Sequence, residues 1–122
     1  MSFNTFEEIK AWQKSREVTR VIYNHSLNPK FERDFGLRDQ IRRSAVSIMS
    51  NIAEGQGRRS DREFANFLNI ALGSVAETKS HLYVAADLGY VSKKTFDETF
   101  GLLNEVGKML FSLSKHLRER PE

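Results

Sequence analysis

The chain has 122 residues, with 19 Lys+Arg against 16 Asp+Glu, so its formal net charge is only +3 although its pI is about 9.3. The absence of cysteine excludes a disulfide framework, a thiol nucleophile and any Cys-based zinc or iron–sulfur site. With 39% hydrophobic and 29% charged residues, and no apolar run beyond about five residues (Leu82-Tyr83-Val84-Ala85-Ala86), it reads as one cytoplasmic, soluble domain over residues 1–122, without a membrane span.

The opening Met1–Glu8 lacks the basic and apolar regions of a signal peptide. Thr5-Phe6-Glu7-Glu8 instead has the form of a capping box, with Thr5 as cap and Glu8 reaching back. Ile9, Trp12, Ser15, Val18 or Thr19 and Ile22 follow at helical spacing, and Asn28-Pro29 ends this first helix. Phe31, Phe35 and Gly36 fall in a short connector. A second helix carries the core stripe Leu37, Ile41, Ala45, Ile48 and Ile52, with Gly55-Gln56-Gly57 as its stop. Ser60-Asp61-Arg62-Glu63 is another capping box, opening a third helix with Phe64, Phe67, Leu68, Ala71, Leu72, Val75, Leu82 and Ala86. Gly89 closes it. Ser92 caps a fourth helix with Phe96, Phe100, Leu103, Val106, Leu110, Leu113 and Leu117. Four long helices joined by short turns predict an all-α, antiparallel up-down-up-down four-helix bundle.

The second helix carries more apolar surface than one bundle needs. Arg42, Val46, Met49 and Ala53 form a second stripe roughly 100° from the core stripe, and Phe31 and Phe35 add to the excess. Either a neighbouring helix or another subunit must cover it. Self-association through Val46, Met49 and Ala53 is expected, with Gly73-Ser74 on the third helix permitting close approach of a partner backbone. The remaining face holds Gln40, Arg43, Ser47, Asn51, Glu54 and Arg58. A solvated face with local ion pairs is one reading. Its Ser and Asn can also hydrogen-bond to a neighbour or to a sugar–phosphate backbone.

Residues 37–62 hold Arg38, Arg42, Arg43, Arg58, Arg59 and Arg62 against Asp39, Glu54 and Asp61, which accounts for the whole net charge of +3. All six cations are Arg, whose planar fork suits phosphate. Arg58, Arg59 and Arg62 crowd the turn before the third helix, whose first amides add an anion-binding element. Since Arg38 and Arg42 point away from Arg43 on the helix wheel, only an oligomer would join these charges into a stripe.

No metal or cofactor site is expected. Paired Glu-x-x-His motifs of a di-iron bundle are missing; Glu77 and His81 stand four apart without a second pair, and Glu77-Thr78-Lys79 lies mid-helix. Gly55-Gln56-Gly57-Arg58-Arg59-Ser60 lacks the last glycine of a dinucleotide loop and follows a helix. Arg20-Val21-Ile22-Tyr23-Asn24-His25 is similar to the Arg-apolar-x-x-x-His motif of HEPN ribonucleases. That motif lies near the last helices of its family, whereas here it ends the first, so a ribonuclease stands only as the enzyme alternative.

Two stretches carry a family pattern. One is Gln40-Ile41-Arg42-Arg43-Ser44-Ala45-Val46-Ser47-Ile48-Met49-Ser50-Asn51-Ile52-Ala53-Glu54-Gly55; the other is Glu63-Phe64 with Phe67-Leu68-Asn69-Ile70-Ala71-Leu72-Gly73-Ser74 and Glu77. With Phe6, Ile9 and Trp12, the chain resembles the four-helix-bundle family of 23S rRNA intervening-sequence proteins, to which accessory proteins of diversity-generating retroelements are related. The resemblance covers about residues 6 to 117. It implies a non-enzymatic bundle assembled as a ring, typically a homopentamer, in bacteria. The positions it marks are Arg42, Arg43, Ser47, Asn51, Glu54, Gly55, Gly73, Ser74 and Glu77. Met49 departs from a position often proline, and Thr78 from one commonly leucine. The expected ligand is RNA or DNA, bound by phosphate contacts from Arg42, Arg43, Arg58, Arg59 and Arg62. The alternative is a protein-interaction scaffold docking a polymerase or reverse transcriptase.

Overall fold

Where apolar residues recur at three-and-four spacing, the backbone is helical. The computed structural model describes residues 3–121 and contains, among them, five α-helices and no strand. The helices are α1 Lys10–His25, α2 Pro29–Arg33, α3 Phe35–Gln56, α4 Asp61–Asp87 and α5 Lys93–Glu119, preceded by a 3-10 turn at Phe6–Glu8. All four long helices send their expected stripes inward. Ile9, Val18 and Ile22, then Ile41, Ala45, Ile48 and Ile52, then Leu68, Ala71, Val75 and Leu82, then Leu103, Val106, Leu110 and Leu117, are all buried in one core.

Two starts differ from expectation. Thr5 makes no side-chain cap, and the Glu8 carboxylate accepts from the Asn4 N–H at 2.8 Å. The backbone there tightens into the 3-10 turn, and α1 begins only after Ile9. The supposed connector after Asn28 also contains a short helix, α2, with Pro29 at its first position, where a missing N–H costs nothing. It buries Phe31, which stacks on Tyr90 with ring centroids 5.4 Å apart. Phe31 is therefore core and not excess surface. Asp34 then caps α3 by accepting the Leu37 N–H, while its other oxygen accepts the Tyr90 hydroxyl. That hydrogen bond, with burial and the carboxylate's charge, raises the Tyr90 pKa above its ordinary value.

Other termini follow the sequence. Ser60 Oγ accepts the Glu63 N–H and Ser92 Oγ the Thr95 N–H, both at 3.1 Å. Gly89, with φ +75°, ends α4 in the left-handed region; its N–H and that of Tyr90 bond the Ala86 and Ala85 carbonyls.

Contacts across the seams run in opposite order on the two helices. Ser44 meets Thr78, Ser47 meets Ser74, and Gly55 meets Phe67 between α3 and α4. Thr19 meets Met49 and Ser26 meets Arg42 between α1 and α3. Asn69 meets Ser114, Lys79 meets Asn104, and Tyr83 meets Phe96 between α4 and α5. Lys14 pairs with Glu105, joining α1 to α5.

Gly55 marks the tightest approach. A Cβ there would sit 2.7 Å from the Phe67 Cβ and 3.0 Å from a Phe64 ring carbon. Gly73, on the exposed side of α4, has no such neighbour within 4 Å. Gly55→Ala is expected to destabilise the fold by roughly 1–3 kcal/mol through overpacking. Gly73→Ala should instead stabilise it by about 0.5–1 kcal/mol, because alanine restricts the unfolded chain and favours helix. Urea unfolding of the two variants checks both signs.

Candidate nucleic-acid interface

The five arginines singled out from sequence divide into distinct environments. Arg42 lies half-buried against the end of α1. Its Nε donates to Ser26 Oγ at 2.8 Å, and its guanidinium stands over the Tyr23 ring at 4.7 Å. The last carbonyls of a helix attract a cation, so Arg42 acts as an intramolecular cap for α1. Arg43 is exposed and makes no hydrogen bond or ion pair with a described residue, but it stands about 22 Å along the helix from Arg58. The structure does not bring Arg42 or Arg43 to the α3–α4 turn.

At that turn, Arg58 is already engaged. It pairs with Glu54 at 2.9 Å, one helical turn back, and stacks over Phe67 at 4.6 Å. Arg59 and Arg62 are exposed, and neither bonds a described residue. They are the uncompensated charges of the cluster.

Of the polar row on α3, only its middle is half-buried, and there Ser47 reaches a neighbouring helix. Asn51 Nδ2 donates to the Ser47 carbonyl at 2.8 Å and to its hydroxyl at 3.1 Å, and Ser47 Oγ lies 2.9 Å from Ser74 Oγ on α4. Deeper in the same seam, the fully buried Thr78 hydroxyl bonds Ser44 Oγ at 2.8 Å and the Ser74 carbonyl at 2.7 Å. Thr78 thus ties α4 to α3 through its hydroxyl. Glu54 is taken up by Arg58, and Gly55 by helix packing. Glu77 is exposed, 3.9 Å from a His81 nitrogen that is shielded from water and has no hydrogen-bond partner among the described residues.

The second apolar stripe of α3 is partly covered within the chain. Met49 receives the Thr19 hydroxyl, and α3 runs unbroken through this position. Ala53 is half-buried, whereas Val46 remains 39% and Phe35 64% exposed. Arg20 and His25 are both exposed, roughly 140° apart around α1, with no hydrogen bond between them. Among the described residues no group of three or more His, Asp or Glu could hold a metal ion. Among the described residues no helix is long and apolar enough to cross a membrane.

One basic side chain escaped the sequence reading. Arg118, at the end of α5, lines a cleft with Arg62 and, like it, bonds no described residue. The run Lys115-His116-Leu117-Arg118-Glu119-Arg120 was the available signal, but only helix packing sets it beside the start of α4.

Residues 7–112 match the family model of the 23S rRNA-intervening sequence protein. The chain belongs to this family. A crystal structure of a protein with unknown function from the S23 ribosomal protein family of Bacteroides thetaiotaomicron superposes with a TM-score of 0.79 at 29% identity, covering 86% of this chain and 98% of that one. No curated protein matches the chain. The intervening-sequence resemblance read from the α3 and α4 motifs is therefore correct.

Within this family member, Arg42 and Arg59 separate structure from surface chemistry. Arg42→Ala is expected to cost about 1–2 kcal/mol in unfolding free energy, since it removes a charged hydrogen bond and a ring contact. Arg59→Ala, touching nothing described, should stay within about 0.5 kcal/mol of wild type in the same titration.

Proposed function

We propose that this family member is a non-enzymatic, cytoplasmic RNA-binding protein, built as an antiparallel up-down-up-down four-helix bundle that assembles into a ring, typically a homopentamer. Support for the topology comes from the reversed order of contacts across the helix seams. The observation that carries the binding reading is the pair Arg59 and Arg62, exposed and unneutralised where α3 turns into α4. Arg58 stands beside them, and a single contact to phosphate would have to compete with Glu54 for it. Family membership points the same way, because the family's name ties its members to 23S rRNA.

Phosphate recognition fits these groups better than base readout. Arg forks grip phosphate oxygens, while the turn offers few exposed aromatic rings for stacking. In a ring, each subunit repeats the cluster, so a thin surplus per chain becomes a repeated array along one polynucleotide.

The rival reading is a scaffold for a protein such as a polymerase. It is favoured by an apolar groove of about 590 Å³ between α4 and α5, edged by Leu72, Val75 and Phe111, the last 63% exposed.

Salt dependence separates the two. RNA affinity should fall steeply with salt, each phosphate contact adding about 0.7 to the log–log slope for a single strand. Replacing Arg58, Arg59 and Arg62 together by Ala should flatten that slope and weaken binding. A wild-type affinity indifferent to salt, or a triple variant that binds as well, sinks the RNA reading. Assembly is checked by light scattering: a clean monomer at roughly tens of micromolar, where weak complexes still form, rules out the ring.

A further inference from the structure

Between the first turn of α4 and the last turn of α5 lies a cleft of about 400 Å³, lined by Asp61, Arg62, Asn66, Leu117, Arg118 and Arg120. Among the described residues, three guanidinium groups share it with one carboxylate. That carboxylate is already committed. Asp61 Oδ2 accepts from Arg120 Nε at 2.7 Å, and Oδ1 from an Arg120 terminal nitrogen at 2.8 Å. This bidentate fork fixes the Arg120 guanidinium at the cleft and uses both Asp61 oxygens. Arg62 and Arg118 are left without a hydrogen bond or ion pair to any described residue. Of the described acids at this end, Glu63 accepts the Ser60 hydroxyl, and Glu119 lines the adjoining groove together with Lys115 and Arg118.

Two like charges on the rims of one cleft repel each other. An anion between them removes that repulsion and replaces water at both forks. The helix dipoles offset each other there, since the cleft meets the positive end of α4 and the negative end of the equally long α5, so the guanidinium groups carry the attraction; Asn66 contributes an amide one turn further on. A carboxylate offers its acceptor oxygens in one plane only. A phosphodiester carries acceptor oxygens on more than one side, and the cleft has room for its adjoining sugar.

We infer that this cleft seats one phosphodiester group of an RNA, held jointly by Arg62 and Arg118, with Arg120 fixed beside them by Asp61. The inference rests on the RNA reading above and extends it, carrying the polynucleotide from the α3–α4 turn onto α5. It makes Arg118 a binding residue, although it lies outside the arginine-rich segment of the sequence.

The test is RNA binding by fluorescence anisotropy, using a labelled single-stranded oligonucleotide and the full chain. The variants are Arg62→Ala, Arg118→Ala, both together, and Lys94→Ala as a charge control at the far end of α5. Arg118→Ala should weaken binding about tenfold, as expected for one charge-assisted contact. Because both side chains hold the same phosphate, the double variant should lose clearly less than the product of the two single losses. Lys94→Ala should stay within about twofold of wild type. The cleft is overturned if Arg118→Ala binds like wild type, if the two losses multiply, or if Lys94→Ala loses as much as Arg118→Ala. Any of these, with binding still weakened in the Arg58, Arg59 and Arg62 triple variant, removes the cleft and leaves the RNA reading intact. No binding by the wild-type chain overturns both.

Discussion

The close approach of α3 and α4 governs the rest of this molecule, because two long helices can meet at Gly55 only if no side chain intervenes. Phe67 and Phe64 fill the space a Cβ would need. Further along the seam, the contact passes from ring packing to hydroxyls, first Ser47 with Ser74 and then Thr78 with Ser44. Small residues bring the backbones close; hydroxyls bonded to each other and to their own helix carbonyls keep that closeness from leaving polar atoms stranded. A larger aliphatic residue at Ser47 or Ser74 would push the helices apart, and the turn that joins them would have to reopen.

That turn is where the surface charge gathers. With α3 ending at Gln56 and α4 starting at Asp61, four residues must reverse the chain. Two of them are arginines, and Arg62 follows directly inside α4. Such a short connection leaves their side chains no core to enter, so they project outward. The capping serine at Ser60 holds the first turn of α4 open toward the same side. Packing of α5 against α4 then delivers Arg118 and Arg120 to that end of the molecule. Charge separated by more than fifty residues in the chain thus meets in one place, because the helices that carry it are long and their ends align.

Much of this was legible in the sequence. The core stripes, the caps at Ser60 and Ser92, the stop at Gly89 and the family motif all rest on local spacing, and local spacing survives folding unchanged. What was not legible depends on partners distant in the chain. Arg42 reads as one more surface cation until α1 presents its end to it. Phe31 reads as a stray aromatic until Tyr90, from the other side of α4, stacks on it. Ser47 and Asn51 look like a binding row, yet their hydrogen bonds are met by the adjacent helix turn and by Ser74. At the Thr5 start, the right residue types were present, but the carboxylate of Glu8 found the Asn4 N–H instead. Side chains and amides this close in a terminal turn have several such options of similar energy.

The small net charge of +3 takes on a different meaning once compensation is read from the structure. Arginine count is a poor guide to available charge, since Arg58 is matched by Glu54, Arg120 by Asp61 and Arg38 by Asp39. Arg42 spends its fork on Ser26. The arginines left without partners among the described residues on the turn and its neighbouring helix end are Arg59, Arg62 and Arg118, fewer than the sequence cluster implied but closer to one another in function. Neutralised pairs fix geometry, and unpaired groups supply attraction. At the Asp61–Arg120 fork the two roles sit in one cleft, where a committed carboxylate keeps the neighbouring arginines from being quenched. An interface of this kind needs little net charge, because Glu54 and Asp61 are each held by one arginine.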